Sequence, residues 1–399
     1  MRRLPGQALF GAVLLATAVT AAPAGAEPAT GYIVLLDENA PVMSVAGELG
    51  VPPRHVYESS VRGYSTKMTA SDAARIAGDP RVKLVQPDGV VTTMAQTVPT
   101  GVDRVDADLS PTAKIDGKDE RVDVDVAVID TGIDLDHPDL NVHTAGAKNC
   151  SDGQSADDGN GHGTHVAGTI GALDNEVGVV GVAPGARVWP IRVLSNSGSG
   201  TWADVICGID YVTAHAKEIE VVNMSLGGAG SDSKCGTNKD AMHEAICKSV
   251  QAGVTYVVAA GNSASATTSF VPATYDEAIT VSALADFNGK PDGGAPSTCR
   301  RDVDDTFADF SNYGEDVDII APGVCILSTW HKGERYNTIS GTSMASPHVA
   351  GAAALHKAKN ATAPPATVKS ALLESGTDKW TTSTDPDQMH EPLLNVAKF

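Results

Sequence analysis

In the segment Val124–Asp130, VDVAVID, an apolar run follows Asp125 and ends in a second acidic residue, Asp130, immediately before Thr131-Gly132. This pattern predicts a strand with a carboxylate at its C-terminal end. From about Ala95 onward, similar apolar runs alternate with helical segments, which indicates an α/β fold with a mainly parallel sheet covered by helices on both faces. In such folds the binding crevice lies beyond the carboxyl ends of the strands, so Asp130 is a candidate site residue.

Three other polar residues stand where predicted elements begin or end. His162 lies between two glycines at the start of a helical segment, and Asn262 ends the predicted strand TYVVAAGN. Ser343 lies in ISGTSMASPHVAG, at the expected N-terminus of a helix over Met344–Lys357 that tolerates Pro347 only in its first turn. Each residue also has an ordinary structural interpretation, namely a packed histidine, a turn asparagine and an N-cap serine.

Together these residue types supply what nucleophilic catalysis requires. A serine hydroxyl is a poor nucleophile at neutral pH and needs an adjacent base, which His162 can provide because imidazole titrates in the useful range. A carboxylate such as Asp130 fixes the imidazole tautomer and stabilises its protonated form. The tetrahedral oxyanion needs preorganised donors, for which the Asn262 amide and the Ser343 backbone N–H are suited. The combination favours an enzyme with Ser343 as the nucleophile.

The motifs VAVIDTGID, GHGTHVAGTI and SGTSMASPHVAG resemble those of the subtilisin-type serine proteases, over about Ala95–Lys357. The order Asp, His, Ser is the known order of that family and is not worked out from the spacing here. It differs from the order Ser, acid, His of α/β-hydrolases, whose G-x-S-x-G context is also absent around Ser343. The resemblance implies a three-layer αβα subtilisin-like fold and a secreted endopeptidase of broad specificity. Its implied triad is Asp130, His162 and Ser343. The implied oxyanion donor is Asn262.

The same resemblance implies a substrate cleft and a calcium site, although the chemistry itself needs no cofactor. The cleft residues are Ser197, Gly198, Ser199, Gly200, Ser225, Leu226, Gly227, Ala260 and Gly261. Glycine-rich edges can accept a peptide as an added strand, although such glycines alone would indicate turns. The implied ligands of a structural Ca²⁺ are Gln96, Asp139, Leu173, Asn175, Val177 and Val179. Their carboxylate, amide and carbonyl oxygens suit this ion, whereas without the resemblance the segment would be a solvated loop. Phe270 is a candidate for shaping the primary specificity pocket.

Residues 1–26 have the pattern of a secretory signal peptide. Arg2 and Arg3 form a basic start, Ala8–Ala21 is a short apolar run, and small residues precede a predicted cleavage after Ala26. We therefore expect the protein to be secreted and extracellular.

Residues 27–94 predict a small separate module. Its order βαββαβ is typical of a ferredoxin-like α+β fold, with Ser71 as the N-cap of the second helix. The module is similar to the inhibitor I9-type propeptides of the family, which assist folding, inhibit the enzyme and are removed by it. We expect residues 95–399 to form the catalytic domain, after a cut near Met94–Ala95. Gln96 is an alternative first residue.

Six cysteines in an exported chain are candidates for disulfides, and many pairings are open. Proximity in sequence favours Cys150–Cys207, Cys235–Cys247 and Cys299–Cys325. A zinc site is not expected, because none of the cysteines has CxxC spacing.

The net charge of −20 argues against nucleic acid or an anionic membrane as a partner. The expected partners are polypeptide substrates and the chain's own propeptide, with the protein acting as a monomer. Two other functions stay open at this point. One is a non-catalytic peptide-binding module that retains its propeptide, and the other is an esterase or peptide ligase with the same nucleophile. Substitution of Ser343 separates the first of these from an enzyme.

Overall fold

The computed structural model describes residues 27–89, 96–291 and 293–399, which belong to two compact units within residues 1–93 and 94–399. The predicted signal cleavage after Ala26 and the predicted cut near Met94–Ala95 lie outside the described residues. No described helix is long and apolar enough to cross a membrane.

The smaller unit has the predicted βαββαβ order. Its elements are β1 (Thr30–Leu36), α1 (Val42–Glu48), β2 (His55–Tyr57), β3 (Gly63–Met68), α2 (Ala70–Ala77) and β4 (Val82–Pro87). The strands form an antiparallel sheet in the order β2-β3-β1-β4. Val34, Tyr64 and Ile76 are fully buried in the single apolar cluster of this unit, which joins the sheet to its helices.

The N-cap of α2 differs from the prediction. The cap residue is Thr69, whose Oγ1 accepts a hydrogen bond from the backbone N of Asp72 at 3.1 Å. Thr69 has the extended backbone that a cap requires, whereas Ser71 is already inside the helix and donates its hydroxyl to Glu27. The prediction of Ser71 as the cap was therefore wrong by two positions.

The larger unit is built on an eight-stranded sheet. The strands of this unit, in chain order and including those of two smaller sheets, are β5 (Asp125–Asp130), β6 (Lys148–Asn149), β7 (Arg187–Arg192), β8 (Val221–Met224), β9 (Gly228–Ala229), β10 (Thr255–Ala259), β11 (Phe270–Val271), β12 (Ile279–Ala285), β13 (Thr306–Phe307), β14 (Ile319–Pro322), β15 (Ile326–Thr329) and β16 (Tyr336–Ile339). The main sheet has the order β13-β12-β10-β8-β5-β7-β6, and β14 also pairs with β12. Its pairings are parallel except that of β12 with β13. The pairs β9–β11 and β15–β16 form small antiparallel sheets.

Helices cover both faces of the main sheet. They are α3 (Thr100–Arg104), α4 (His162–Gly171), α5 (Trp202–Ala214), α6 (Ala241–Gln251), α7 (Thr342–Lys359) and α8 (Pro365–Ser375), with single 3₁₀ turns at Ala107–Leu109, Thr144–Gly146, Thr267–Ser269 and Thr382–Thr384. In β5, Val126 and Val128 belong to the apolar cluster that contains α4 and α7. Ala127 and Ile129 belong to the cluster that contains α5 and α6. Successive side chains of a strand point to opposite faces, so a continuous apolar strand separates two helical layers.

All six cysteines lie in the described residues, and the structure joins the same pairs that proximity favoured. His243 and Glu277 lie beside Cys235 and Cys247, with one ligand atom of each residue within 4.8 Å of the others. The disulfide between the two cysteines removes both thiolates as metal ligands in this form of the protein.

Candidate active site

β5 and α4 bring the predicted acid and base together. Asp130 is the last residue of β5 and is fully buried, whereas His162 is the first residue of α4 and is partly exposed. His162 Nδ1 lies 2.8 Å from Asp130 Oδ1 and 3.0 Å from Oδ2. A carboxylate can only accept here, so Nδ1 carries the hydrogen and Nε2 is left to accept a proton.

The pKa of His162 is raised above its usual value. Burial by itself would lower this pKa, because desolvation penalises the charged ring. The Asp130 carboxylate more than offsets that effect by attracting the imidazolium and hydrogen-bonding to it, and Asp158 adds a smaller attraction. Asp130 thus makes the ring a stronger base, which favours its role as the proton acceptor.

Asp158 holds the loop that carries the base. It is fully buried, and its Oδ1 accepts hydrogen bonds from Thr131 Oγ1 at 3.0 Å and from the backbone N of Asn160 at 2.8 Å. Its Oδ2 accepts from Thr164 N at 3.0 Å and from Thr164 Oγ1 at 2.6 Å. Because these donors lie on both sides of His162, the carboxylate fixes the backbone at the base. Sequence reasoning missed this acid, although Asp followed by Gly-Asn-Gly is typical of an ordered turn.

The structure corrects the interpretation of Ser343 as a helix cap. α7 begins at Thr342 after the cap residue Gly341, so Ser343 is the second helical residue. Its Oγ donates to the Ser225 carbonyl oxygen at 3.3 Å. Pro347 lies in the second turn of α7 and not in the first turn as expected. Proline has no N–H, and the Ser343 carbonyl that it leaves free accepts the Ser225 hydroxyl at 2.8 Å.

Ser225 also connects Ser343 to the cleft that His162 lines. Ser225 and His162 line the same cleft, and the Ser343 hydroxyl lies within hydrogen-bonding distance of the Ser225 backbone. The hydroxyl must rotate away from that carbonyl before it can donate to His162 Nε2. Loose contacts between nucleophile and base are common in enzymes without substrate.

Asn262 lies beside the start of α7. Its Oδ1 accepts hydrogen bonds from Thr342 N at 2.8 Å and from Thr342 Oγ1 at 3.0 Å, which commits the oxygen and directs Nδ2 elsewhere. A Cβ atom built on Gly341 would lie 3.6 Å from Asn262 Nδ2 and 3.6 Å from the backbone N of Ser343. Two N–H donors thus border one small space beside the serine. This is the arrangement that an oxyanion needs.

A cleft of about 650 Å³ adjoins His162. Of the predicted substrate-binding residues, it is lined by Gly198, Ser199, Gly200, Ser225, Leu226 and Gly227. Ser197, Ala260 and Gly261 are not among its lining residues. Residues that sequence reasoning did not include are Thr131, Asn160, Leu194, Thr201, Trp202, Val205 and Gly228. Trp202 is 41% exposed at the start of α5, and a large exposed aromatic residue of this kind is the signal that could have found it.

Phe270 is not among the residues that line this cleft. β11 places it opposite Ala229 of β9, and a Cβ atom on Gly261 would lie 3.4 Å from Phe270 Cδ1. Its ring is therefore next to the residue that precedes Asn262. The role of Phe270 in the primary pocket stays a prediction.

The predicted calcium residues gather around a buried carboxylate, Asp139. Its Oδ1 accepts from Asn175 Nδ2 at 2.9 Å, and its Oδ2 accepts from Val179 N at 3.0 Å and from Tyr336 OH at 3.2 Å. Burial raises the pKa of Asp139 to about 6, and in the described part of the chain its hydrogen-bond partners are neutral. Three neutral donors surround this carboxylate, and a hard cation can supply the positive charge that a buried acid without an arginine or lysine partner lacks.

Gln96 contacts the same loop in a different way. Its Oε1 accepts hydrogen bonds from the backbone N of Asn175 at 2.9 Å and of Glu176 at 2.8 Å, and its Nε2 donates to Asp174 at 2.8 Å. The side chain therefore braces the loop, with its oxygen already engaged by two donors. Asp174 Oδ2 is likewise engaged, by the backbone N of Asp116 at 2.7 Å.

Comparison with known proteins agrees with this geometry. Residues 122–390 match the model of the subtilase family, peptidase S8, and residues 32–94 match that of peptidase inhibitor I9. The chain belongs to the subtilase family. An alkaline protease of Alkalihalobacillus alcalophilus is 40% identical to this subtilase over 319 residues, which cover 80% of this chain and 75% of the relative. Subtilisin E of Bacillus subtilis is 39% identical over 302 residues, covering 75% and 71% of the two chains.

A third relative and a solved structure extend the comparison. The extracellular serine proteinase of a Thermus species is 40% identical over 326 residues, covering 80% of this chain and 72% of the relative. The crystal structure of a cold-adapted subtilisin-like serine proteinase matches with a TM-score of 0.58 and 33% identity, over 75% of this chain and 98% of that one. The predicted family and α/β fold are confirmed, and this subtilase is a serine-type endopeptidase with an inhibitor I9-type segment.

Proposed function

We propose that Asp130, His162 and Ser343 hydrolyse peptide bonds through an acyl-enzyme. The observation that carries this assignment is the 2.8 Å contact between His162 Nδ1 and the buried Asp130. His162 lines the same cleft as Ser225, whose carbonyl oxygen accepts the Ser343 hydroxyl. His162 Nε2 takes the proton of Ser343 Oγ as that oxygen attacks the carbonyl carbon, and then gives the proton to the leaving amine. Water, deprotonated by the same nitrogen, then attacks the acyl carbon. The bond from that carbon to Ser343 Oγ breaks, and Oγ regains the proton from His162 as the acid product leaves.

The negative charge of each tetrahedral intermediate is placed between two donors. Asn262 Nδ2 and the backbone N–H of Ser343 both border the space beside Gly341. The Ser343 donor lies in the first turn of α7, where the helix dipole also favours negative charge. Because Thr342 holds the Asn262 oxygen, the amide group does not have to reorganise during the reaction.

The shape of the cleft favours extended polypeptides. Gly198–Gly200 and Ser225–Gly227 line it, and backbone N–H and C=O groups at such edges can pair with a substrate strand. Trp202 offers an apolar surface for a substrate side chain. We infer broad specificity, because strand pairing recognises the substrate backbone more than its side chains. A small ester has no extended backbone to pair with these edges, so a polypeptide suits the site better.

The segment arrangement implies a zymogen. We propose residues 1–26 as the signal peptide, residues 27–94 as a propeptide that Ser343 removes, and residues 95–399 as the secreted, monomeric enzyme. The match of residues 32–94 to peptidase inhibitor I9 supports the propeptide, and the relative named as an extracellular serine proteinase supports secretion.

We also propose that Asp139, Asn175 and the carbonyl oxygens of Leu173, Val177 and Val179 hold a structural Ca²⁺. Gln96, the remaining predicted ligand, supports the loop through its hydrogen bonds to Asn175 and Glu176. The ion would neutralise the buried carboxylate and stiffen the loop, and it takes no part in the chemical steps.

Expression of residues 27–399 tests the proposed function. The wild-type chain should lose residues 27–94, seen by intact mass spectrometry, and should digest casein. Ser343→Ala should stay full length and inert, while the control Ser375→Ala, at the end of α8, should behave as wild type. If Ser343→Ala is processed and digests casein as wild type does, Ser343 is not the nucleophile. If all three chains stay full length and inert, the peptide-binding interpretation replaces the enzyme.

A further inference from the structure

Four side chains from three parts of the chain converge beside α6. His243 and Cys247 lie four residues apart on this helix and therefore on one face of it, Cys235 lies in the preceding loop, and Glu277 lies shortly before β12. One ligand atom of each residue lies within 4.8 Å of the others. In the described part of the chain, the other two disulfides have no such group of histidine and acid neighbours. The cluster is therefore particular to the pair Cys235–Cys247.

The contacts within this cluster include a carboxylate that faces a sulfur atom. Glu277 Oε2 lies 2.7 Å from His243 Nε2, and Glu277 Oε1 lies 2.8 Å from Cys235 Sγ. A disulfide sulfur carries no hydrogen, so it has nothing to donate to that oxygen. A cation shared by the sulfur and the carboxylate makes the same approach favourable.

The imidazole of the cluster is held in a fixed orientation. The His243 side chain is only 2% exposed, and its ring stacks on that of Tyr275 with centroids 4.0 Å apart and an angle of 4° between the planes. Its Nδ1 lies 3.1 Å from Ser233 Oγ. Because a hydroxyl can donate or accept, Ser233 supports either tautomer of the ring, including the one that leaves the Nε2 lone pair for a metal. Histidines that bind metals are commonly held in this way through their other ring nitrogen.

We propose that this cluster binds a zinc ion in the reduced chain, with Cys235 and Cys247 as thiolates. Thiolate, imidazole and carboxylate groups are the ligands that Zn²⁺ takes, and four of them complete its tetrahedral geometry. The expectation against zinc rested on the lack of CxxC spacing, which a site built from one helix face and two other segments does not need. The disulfide has to be open, because thiolates are the form of cysteine that binds metals.

The zinc ion and the disulfide connect the same loop to α6 in two different redox states. Cysteines are synthesised as thiols and form disulfides in an oxidising environment, so the zinc ion can bind before oxidation without any reductant. Oxidised glutathione then takes two electrons from the two thiolates and becomes two thiolates itself. The bond between Cys235 and Cys247 forms, and Zn²⁺ leaves because both sulfur ligands are gone. This inference does not depend on the proposed catalytic function.

Metal analysis of the reduced chain tests the proposal. The parent protein is residues 27–399 with Ser343→Ala, made in a reducing bacterial cytosol and kept in a phosphine reductant. It should contain one more zinc ion than the same chain with Cys235→Ser and Cys247→Ser. Co²⁺ in place of zinc should show thiolate-to-metal charge-transfer absorption, which an ion bound by carboxylates lacks. Oxidised glutathione, added after removal of the phosphine, should release the zinc to a pyridylazoresorcinol dye as the free thiols disappear.

Two further variants separate a zinc site from a structural cluster. Glu277→Gln preserves the shape of the side chain and should weaken zinc binding by about tenfold or more. The matched control, Cys299→Ser with Cys325→Ser, should keep both the zinc ion and the Co²⁺ absorption. Equal zinc contents in the parent and the Cys235→Ser, Cys247→Ser chain would overturn the proposal, as would the absence of thiolate absorption with Co²⁺. Unchanged affinity in Glu277→Gln, or a reduced parent that circular dichroism shows to be unfolded in Zn²⁺, would overturn it too.

Discussion

Asp158→Asn tests how the loop at the base is held. The asparagine keeps one oxygen, which can accept the hydrogen bonds that Asp158 Oδ1 accepts from Thr131 and Asn160. Its NH₂ group then faces the backbone N–H of Thr164, which loses its acceptor because both groups are donors. The Thr164 hydroxyl can rotate to accept from the new amide, since it already accepts from Asp134 N at 3.0 Å.

The expected loss of stability follows from two donors, the Thr164 N–H and the Thr164 hydroxyl hydrogen, which both lose Asp158 Oδ2 as their acceptor. Thr164 is fully buried, and a buried donor without a partner costs about 1–3 kcal/mol, the same range as a lost hydrogen bond to a charged group. We therefore expect the free energy of unfolding to fall by about 2–3 kcal/mol. At about 2–4 °C per kcal/mol, the melting temperature should fall by roughly 5–10 °C. A small displacement of His162 should also lower kcat by about 10- to 100-fold.

Two measurements and one control check this prediction. Calorimetry in the Ser343→Ala background gives the melting temperature, and kcat is measured on an active chain well below that temperature. Asp304→Asn is the matched control, because Asp304 is also buried and accepts from Phe287 N at 2.8 Å and from Ala295 N at 2.9 Å. The control should lose similar stability and keep its kcat. The reasoning is refuted if Asp158→Asn melts as the parent does, or if the two variants lose kcat equally.

Asn262→Ala should lower kcat by about 10²–10³-fold with little change in KM, a range measured within this same family rather than derived from the present distances. Steady-state kinetics on a peptide substrate decides this, and an unchanged kcat would remove Asn262 from the site. Because Asp130 raises the pKa of His162 and the neutral ring is the active base, kcat/KM should fall with decreasing pH about a midpoint above the usual histidine value. Asp130→Asn should move that midpoint to lower pH and reduce the plateau, whereas an acidic limb at the same pH would contradict the pairing.

The sequence was sufficient for the layers of the fold and for the polar residues at one edge of the sheet. β5 is buried on both faces, so its apolar run had no polar gaps, and the parallel order followed from its alternation with helices. Asp130 is the last residue of β5 and His162 is the first residue of α4, and their contact follows from the topology.

Details that depend on tertiary contacts were not predictable. Pro347 enters the second turn of α7 because Ser225, more than a hundred residues earlier, takes over the carbonyl that it leaves free. Thr69 caps α2 because its backbone is extended, whereas Ser71 is already helical. The letters TASD alone do not show this difference. In the sequence, Asp158 cannot be told from any other aspartate in a turn. Only its five hydrogen bonds identify it as the residue that holds the backbone around His162.

The central claim is that Ser343 is a nucleophile activated by His162. The measurement that tests it most directly is the site of covalent labelling by phenylmethylsulfonyl fluoride, which sulfonylates an activated serine and releases fluoride. Peptide mass mapping should find one adduct, on Ser343, and the adduct should be lost in His162→Ala. An adduct on another residue, or equal labelling of Ser343 in His162→Ala, would contradict the account.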